Sequence, residues 1–298
     1  MYSICDRYQL GQLIGKGSFG SVYLAGDIVT RKIVAVKIIN KKLVNDTKAI
    51  MNEILILHKC QHENIIKLEN YHEDADFVYI IQELAVGGQL FKHIVKRQHY
   101  SEFHAKVIIR QLLSALKYLH TLSPPIVHMD IKPENILFVD ENEEYPMIKL
   151  VDFGFAQPAV QIYRATVGCT PGYQAPETFQ HNIITIKADI YSVGVLVYEL
   201  LSGQRPFTGD SINEIIQKQI NNQWYELSGI SSEAREFINL CINLDYNNRP
   251  SAEQLLYSGW LDIECDSARI SRNSSLDLNQ LQNALIQELS ADQIQEKI

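Results

Sequence analysis

The apolar residues of this chain change their spacing once, and that change limits what it can fold into. Up to about residue 85 they alternate with polar ones, as in "QLGQLI", "GSVYLA", "KIVAVKII" and "FVYIIQEL". Successive side chains of a strand point to opposite faces, so this alternation predicts strands. One helical run, "KAIMNEILILHK", interrupts it. From "SEFHAKVIIRQLLSALKYLH" onward the period is helical, with Ile108, Ile109, Leu112, Leu116 and Leu119 on one stripe. A second apolar helix, "KADIYSVGVLVYELLSG", is closed by Gly203. Between the two lies a short strand pair, "NILFVDENEEYPMIKLVD", with an acidic turn at its tip. A small strand-rich part thus precedes a larger helical one. The change falls near "AVGGQ", residues 85–89, where two glycines suit a hinge.

The length of 298 residues is more than one compact core usually holds, and 46 % hydrophobic residues suffice for a sizeable interior. A net charge of -8 argues against nucleic acid, whose phosphates demand surplus Lys and Arg. The five cysteines, Cys5, Cys60, Cys169, Cys241 and Cys265, are scattered and lack C-x-x-C spacing. That predicts a reduced, cytoplasmic protein without disulfides or a zinc site. No basic-plus-apolar leader opens the chain, no stretch suits an integral membrane segment, and Tyr2 rules out N-myristoylation. After Asp262, "ECDSARISRNSS" is polar. A helical stripe resumes through Leu278, Leu281, Leu285 and Leu289, and Ser290 with Gln293 resembles a capping box.

"IGKGSFGSV" carries Gly15, Gly17, Gly20 and Val22. In a dinucleotide fold a helix should follow the third glycine. Here "SVYLAGD" and "IVAVKII" follow, so the glycines belong to a hairpin with Ser18 and Phe19 at its tip. Such a hairpin can lay backbone amides over phosphates. "VAVK" puts Lys37 at the end of the next strand, and Glu53 lies on the helix "AIMNEILIL". Each is unremarkable alone. Together they suggest an ion pair in which Lys37 grips phosphate oxygens.

Later motifs follow in order: "HMDIKPEN" with Asp130, Lys132 and Asn135; "DFG" with Asp152; "APE" with Glu177; Asp189 in "ADIYSVG"; Arg249 in "NNRPS". Over about Tyr8 to Leu261 the sequence resembles a eukaryotic protein kinase. The resemblance implies an α+β, bilobal fold, with a small antiparallel β-rich N-lobe (about 8–86) and a mainly helical C-lobe (about 87–261). Residues 1–7 would be an N-terminal extension, and residues 262–298 a C-terminal helical tail.

The resemblance also implies ATP and Mg²⁺. The nucleotide would meet Ile14, Gly15, Lys16, Gly17, Ser18, Phe19, Gly20, Val22, Ala35, Lys37 and Glu53. Adenine would meet the backbone of Glu83 and Ala85, with Gln82 as gatekeeper. Asp130 would orient the attacking hydroxyl, Lys132 would stabilise the transferring phosphoryl, and Asn135 and Asp152 would hold Mg²⁺. Asp189 and Arg249 would brace the structure, Arg249 by pairing with Glu177. Thr166 and Thr170 fall in the activation segment. Glu134 and Glu199 match acidic positions that attract basic residues of a protein substrate, while Gln89 stands where relatives often carry Glu.

"DIKPEN" and "TPGY" resemble the serine/threonine class, and "VYIIQELAVGGQLF" and "SGWL" the calcium/calmodulin-dependent group. A calmodulin target is basic and amphipathic, whereas Leu276 to Ile298 is acidic. The tail looks more like the junction of calcium-dependent protein kinases, or else a helix docked on the large lobe. No D-x-[DN]-x-[DN]-G loop occurs in the sequence. A monomer is expected. At the position of Met129 the family usually has an Arg that pairs with a phosphorylated activation segment. Its loss predicts activity that depends little on phosphorylation. A pseudokinase and a plain nucleotide-binding regulator are the rival readings.

Overall fold

The computed structural model describes residues 4–17, 20–44, 47–142, 145–159 and 170–262. Ser18, Phe19, Thr166 and the tail helices expected after residue 262 lie outside them. The described residues form two compact units, residues 4–54 with 67–84, and residues 55–66 with 85–262.

The first unit is built on a five-stranded antiparallel sheet. Its strands are β1 (Tyr8–Lys16), β2 (Gly20–Asp27), β3 (Ile33–Asn40), β4 (Leu68–Glu73) and β5 (Phe77–Glu83), in the order β1-β2-β3-β5-β4. Helix α1 (Thr47–Lys59) follows β3. The two-residue period sorts side chains cleanly. Tyr8, Ala25, Val34, Val36, Tyr79 and Ile81 form one buried cluster with Ile4. Ile39, Val78 and Ile80 form another with Ile50 and Ile54 of α1. Lys37 lies inside its strand and not at the end expected from the sequence, because β3 runs on to Asn40 and its ladder with β5 extends to Asn40 and Phe77. Strand β4, "LENYHE", has no apolar alternation to announce it, and it forms through its ladder with β5.

The turn after β2 hangs on Asp27. Its Oδ1 accepts the amides of Val29 at 2.9 Å and Thr30 at 3.2 Å, and its Oδ2 accepts Arg7 Nη2 at 3.0 Å. Burial by itself would raise this carboxyl, but the Arg7 guanidinium and the Thr30 and Val29 amides outweigh it and hold the pKa down to about 2. A lowered folded-state value means stability that is complete above the ordinary carboxylate range and is lost as pH falls through about 2. Asp27→Asn is therefore expected to be less stable than wild type near neutrality. That gap should close on acidification below about pH 4. Urea unfolding of both proteins across that range checks this, and a gap that persists unchanged refutes it.

The second unit is mainly helical. It contains α2 (Leu90–Arg97), α3 (Glu102–Thr121), α4 (Pro176–Gln180), α5 (Lys187–Ser202), α6 (Ile212–Ile220), α7 (Ser232–Cys241) and α8 (Ala252–Leu256). Helix α5 is buried almost all round, from Ala188 to Leu200, which is why its apolar residues show no narrow stripe. Gly203 ends it at φ 74°, where an added Cβ would lie 1.8 Å from the Gln98 carbonyl oxygen. Serines 101, 211, 231 and 251 cap α3, α6, α7 and α8.

Short strands carry the connections between these helices. β6 (Gly88–Gln89), β8 (Ile136–Phe138) and β9 (Ile148–Leu150) form one sheet, and β7 (Ile126–Val127) pairs with β10 (Gln157–Pro158). The Val86 and Gly87 amides donate to Val139 and Phe138, so this glycine pair is tied to the β-sheet.

Candidate active site

In the first unit, register decides what shares a face. Val22 pairs with Lys37 and Leu24 with Ala35 across β2 and β3; Lys37 pairs with Ile80 and Ala35 with Gln82 across β3 and β5. Directly opposed residues point the same way, so Val22, Ala35, Lys37 and Gln82 lie on one face, the face of Ile80. Ile80 packs with Ile50 and Ile54 of α1, the helix that also carries Glu53. Glu53 Oε1 accepts Lys37 Nζ at 2.8 Å, and the carboxylate is only 3 % exposed against 23 % for the lysine. The glycine stretch is the β1–β2 hairpin, with Gly15 opposite Val22 and Lys16 opposite Ser21. Gly17 N–H donates to the Gly20 carbonyl at 2.8 Å. At Gly20 a Cβ would sit 2.1 Å from the Ile38 carbonyl oxygen, so only glycine lets the hairpin lie this close to β3.

In the second unit the segment after β7 holds the other candidates, anchored by a buried carboxylate. Asp189, on α5, accepts the amides of His128 through Oδ2 and Met129 through Oδ1, each at 2.9 Å, and His120 Nε2 also meets Oδ2 at 2.9 Å. These bonds hold Met129 in the left-handed region at φ 69°, a conformation that costs a non-glycine residue about 1–3 kcal/mol. The Met129 side chain is buried. His128 is buried too, and burial pushes its pKa down despite Asp189, Asp130 and Asp152 nearby. Its Nδ1 accepts the Asp130 amide and its Nε2 faces the Val151 carbonyl, so the proton resides on Nε2. Its ring packs edge-on against Phe153 at 4.8 Å.

Held in this way, Asp130 is the centre of a closed set of hydrogen bonds. Its Oδ2 accepts Lys132 Nζ and Asn135 Nδ2, both at 2.7 Å. Its Oδ1 accepts the Thr170 hydroxyl at 3.1 Å, and that hydroxyl accepts Lys132 Nζ at 2.7 Å. Asn135 Nδ2 also donates to the Asp130 carbonyl at 2.9 Å. Asp152 lies beyond β9 at φ 61°. The sequence motifs "HMDIKPEN" and "TPGY", forty residues apart, thus meet at one carboxylate.

Residues 8–261 match the profile of the protein kinase domain. The chain belongs to the protein kinase family. The chain is 39 % identical over 264 residues to Calcium-dependent protein kinase 5 of Plasmodium berghei (strain Anka), an alignment covering 86 % of this chain and 45 % of that protein. It is 40 % identical over 261 residues to the protein of the same name in Plasmodium falciparum (isolate 3D7), covering 86 % and 44 %. With Calcium-dependent protein kinase 3 of Plasmodium yoelii yoelii it shares 35 % over 285 residues, covering 93 % and 52 %. The chain spans about half the length of these curated relatives.

The acidic positions named from sequence, Glu134 and Glu199, are not simple surface charges in this chain. Glu199 is buried on α5, and its Oε2 accepts the Tyr173 hydroxyl in a short bond. Burial pushes the Glu199 carboxyl up, and the Glu134 charge adds to this, while Tyr173 and Arg205 pull the other way. Glu134 Oε2 is buried without a hydrogen-bond partner among the described residues. Gln89 Nε2 donates to the Glu134 carbonyl at 3.2 Å. Sequence reasoning missed Tyr173. The "TPGY" stretch contained it, but nothing in the sequence said it would face a carboxylate on α5. Of the adenine candidates, Gln82 is buried on β5 and the Glu83 amide donates to the Lys67 carbonyl at 3.0 Å.

Proposed function

We propose that this kinase domain transfers the γ-phosphoryl group of ATP to serine or threonine hydroxyls of proteins. The observation that carries the reading is the set of hydrogen bonds around Asp130. A carboxylate fixed by Lys132, Asn135 and Thr170 is preorganised to accept the proton of an incoming hydroxyl. Lys132, already beside it, would stabilise negative charge on the phosphoryl as it moves. Lys37, oriented by Glu53, would hold phosphate oxygens. Ile14, Val22 and Ala35 would offer apolar contact to the base, and the backbones of Glu83 and Ala85 its hydrogen bonds.

The donor set suits Mg²⁺. Asn135 uses its amide hydrogens on Asp130, which leaves its carbonyl oxygen as acceptor, and Asp152 supplies a carboxylate. Both are hard oxygen donors of the kind Mg²⁺ takes alongside substrate phosphates. When bound, the ion would neutralise charge on those phosphates.

For the protein substrate we infer a preference for a basic residue upstream of the hydroxyl, drawn by Glu134 and Glu199 and weakened by the neutral Gln89. The test is transfer from ATP to serine peptides with and without an upstream arginine. Faster transfer to the arginine peptide is expected. ATP binding with no transfer to any peptide would favour the scaffold reading. A proline-directed or acidic preference would refute the substrate assignment alone.

A further inference from the structure

The acidic pair has a neighbour that the sequence motifs do not mark. Arg205 follows α5, three residues beyond the end of the helix that carries Glu199, and it is exposed. Its Nη1 lies 4.0 Å from where a Cβ on Gly172 would stand. Gly172 directly precedes Tyr173, whose hydroxyl is bound to Glu199. A cation therefore stands at the rim of a cluster made of Glu134, Tyr173 and Glu199. No hydrogen bond or ion pair holds the Arg205 guanidinium among the described residues, while Glu134 Oε2 is buried and unpartnered. The Arg205 charge also acts on both Glu199 and Tyr173, opposing the upward push on each.

We propose that Arg205 is a specificity-determining residue, the chain's own cation at the rim of the Glu134–Glu199 pair, set against the basic side chain of a substrate. This rests on the reading of that pair as the contact for an upstream basic residue. An exposed charge acts through a high dielectric, so the effect is modest, about three- to fivefold in affinity.

The experiment compares wild type, Arg205→Gln, Arg205→Lys and Glu134→Gln as full chains. Two serine peptides differ only in an upstream arginine or alanine. Both the ratio of kcat/KM values and the dissociation constants, by fluorescence anisotropy, are measured. Arg205→Gln should raise the preference for the arginine peptide about three- to fivefold, and salt should shrink that gain. Arg205→Lys should keep the wild-type ratio. An unchanged or reduced preference in Arg205→Gln overturns the proposal. Glu134→Gln judges the underlying reading separately: if it leaves the arginine preference intact, the acidic pair is not the contact. Should wild type bind peptide but transfer nothing, the kinase reading fails and the binding constants still decide the role of Arg205.

Discussion

Asp130→Asn is expected to lower kcat for peptide phosphorylation by about 10²- to 10⁴-fold, the range for loss of a positioned proton acceptor. Nucleotide affinity should stay near wild type, because Lys37 and Glu53 are untouched. The hydrogen bonds explain why a near-isosteric change has so large an effect. Both carboxylate oxygens accept: Oδ2 from Lys132 and Asn135, Oδ1 from Thr170. An amide must turn its NH₂ toward one side. Toward Oδ2 it meets an ammonium and another amide, donors against a donor. Toward Oδ1 it meets a hydroxyl that can reverse, yet the group no longer takes up a proton. Either way the incoming hydroxyl loses its base. Single-turnover measurement with saturating ATP separates this from a binding defect. Turnover within about threefold of wild type would show that Asp130 is not the group that receives the proton.

Two structural details of the candidate site are legible in the sequence. A lysine in a strand and a glutamate on the following helix suggest an ion pair, and Lys37 and Glu53 meet at 2.8 Å. Strand patterns follow the glycine stretch and mark it as a hairpin, and β1 and β2 form that hairpin. What the sequence could not carry was burial and long-range charge. Nothing in "YELLSG" says that its glutamate is buried against a tyrosine 26 residues upstream. Nothing in "GQRPF" says that its arginine stands beside Gly172. Met129 was legible as a missing charge but not as a strained residue. Its positive φ depends on Asp189, sixty residues further on, which binds its amide. Strand β4 was missed for a related reason. Its side chains are alternately half-buried and exposed, so pairing with β5, and not burial of its own apolar face, makes it a strand.

The largest stability effect is expected at Arg249. It is fully buried, and it makes a two-pronged pair with Glu177, Nη1 to Oε1 at 2.7 Å and Nη2 to Oε2 at 2.8 Å. Its Nε donates to the Asn243 carbonyl at 2.8 Å and its Nη1 to the Lys187 carbonyl at 2.9 Å. The guanidinium also lies over the Tyr191 ring at 5.0 Å. One side chain thus joins the start of α4, the start of α5 and the segment after α7. Arg249→Met would keep most of the volume but leave the Glu177 carboxylate buried without its cation. Breaking a buried pair from one side costs about 3–5 kcal/mol, since the remaining charge is neither solvated nor paired. Glu177→Met should cost a similar amount by leaving the buried guanidinium without its anion. Replacing both should recover a large part of the loss, because no stranded charge remains. Urea unfolding of the two single variants and the double variant measures this directly. If the double variant lost the sum of the two single losses, unpaired charge would not be what destabilises them. The broken carbonyl contacts and the lost stacking on Tyr191 would then account for the effect.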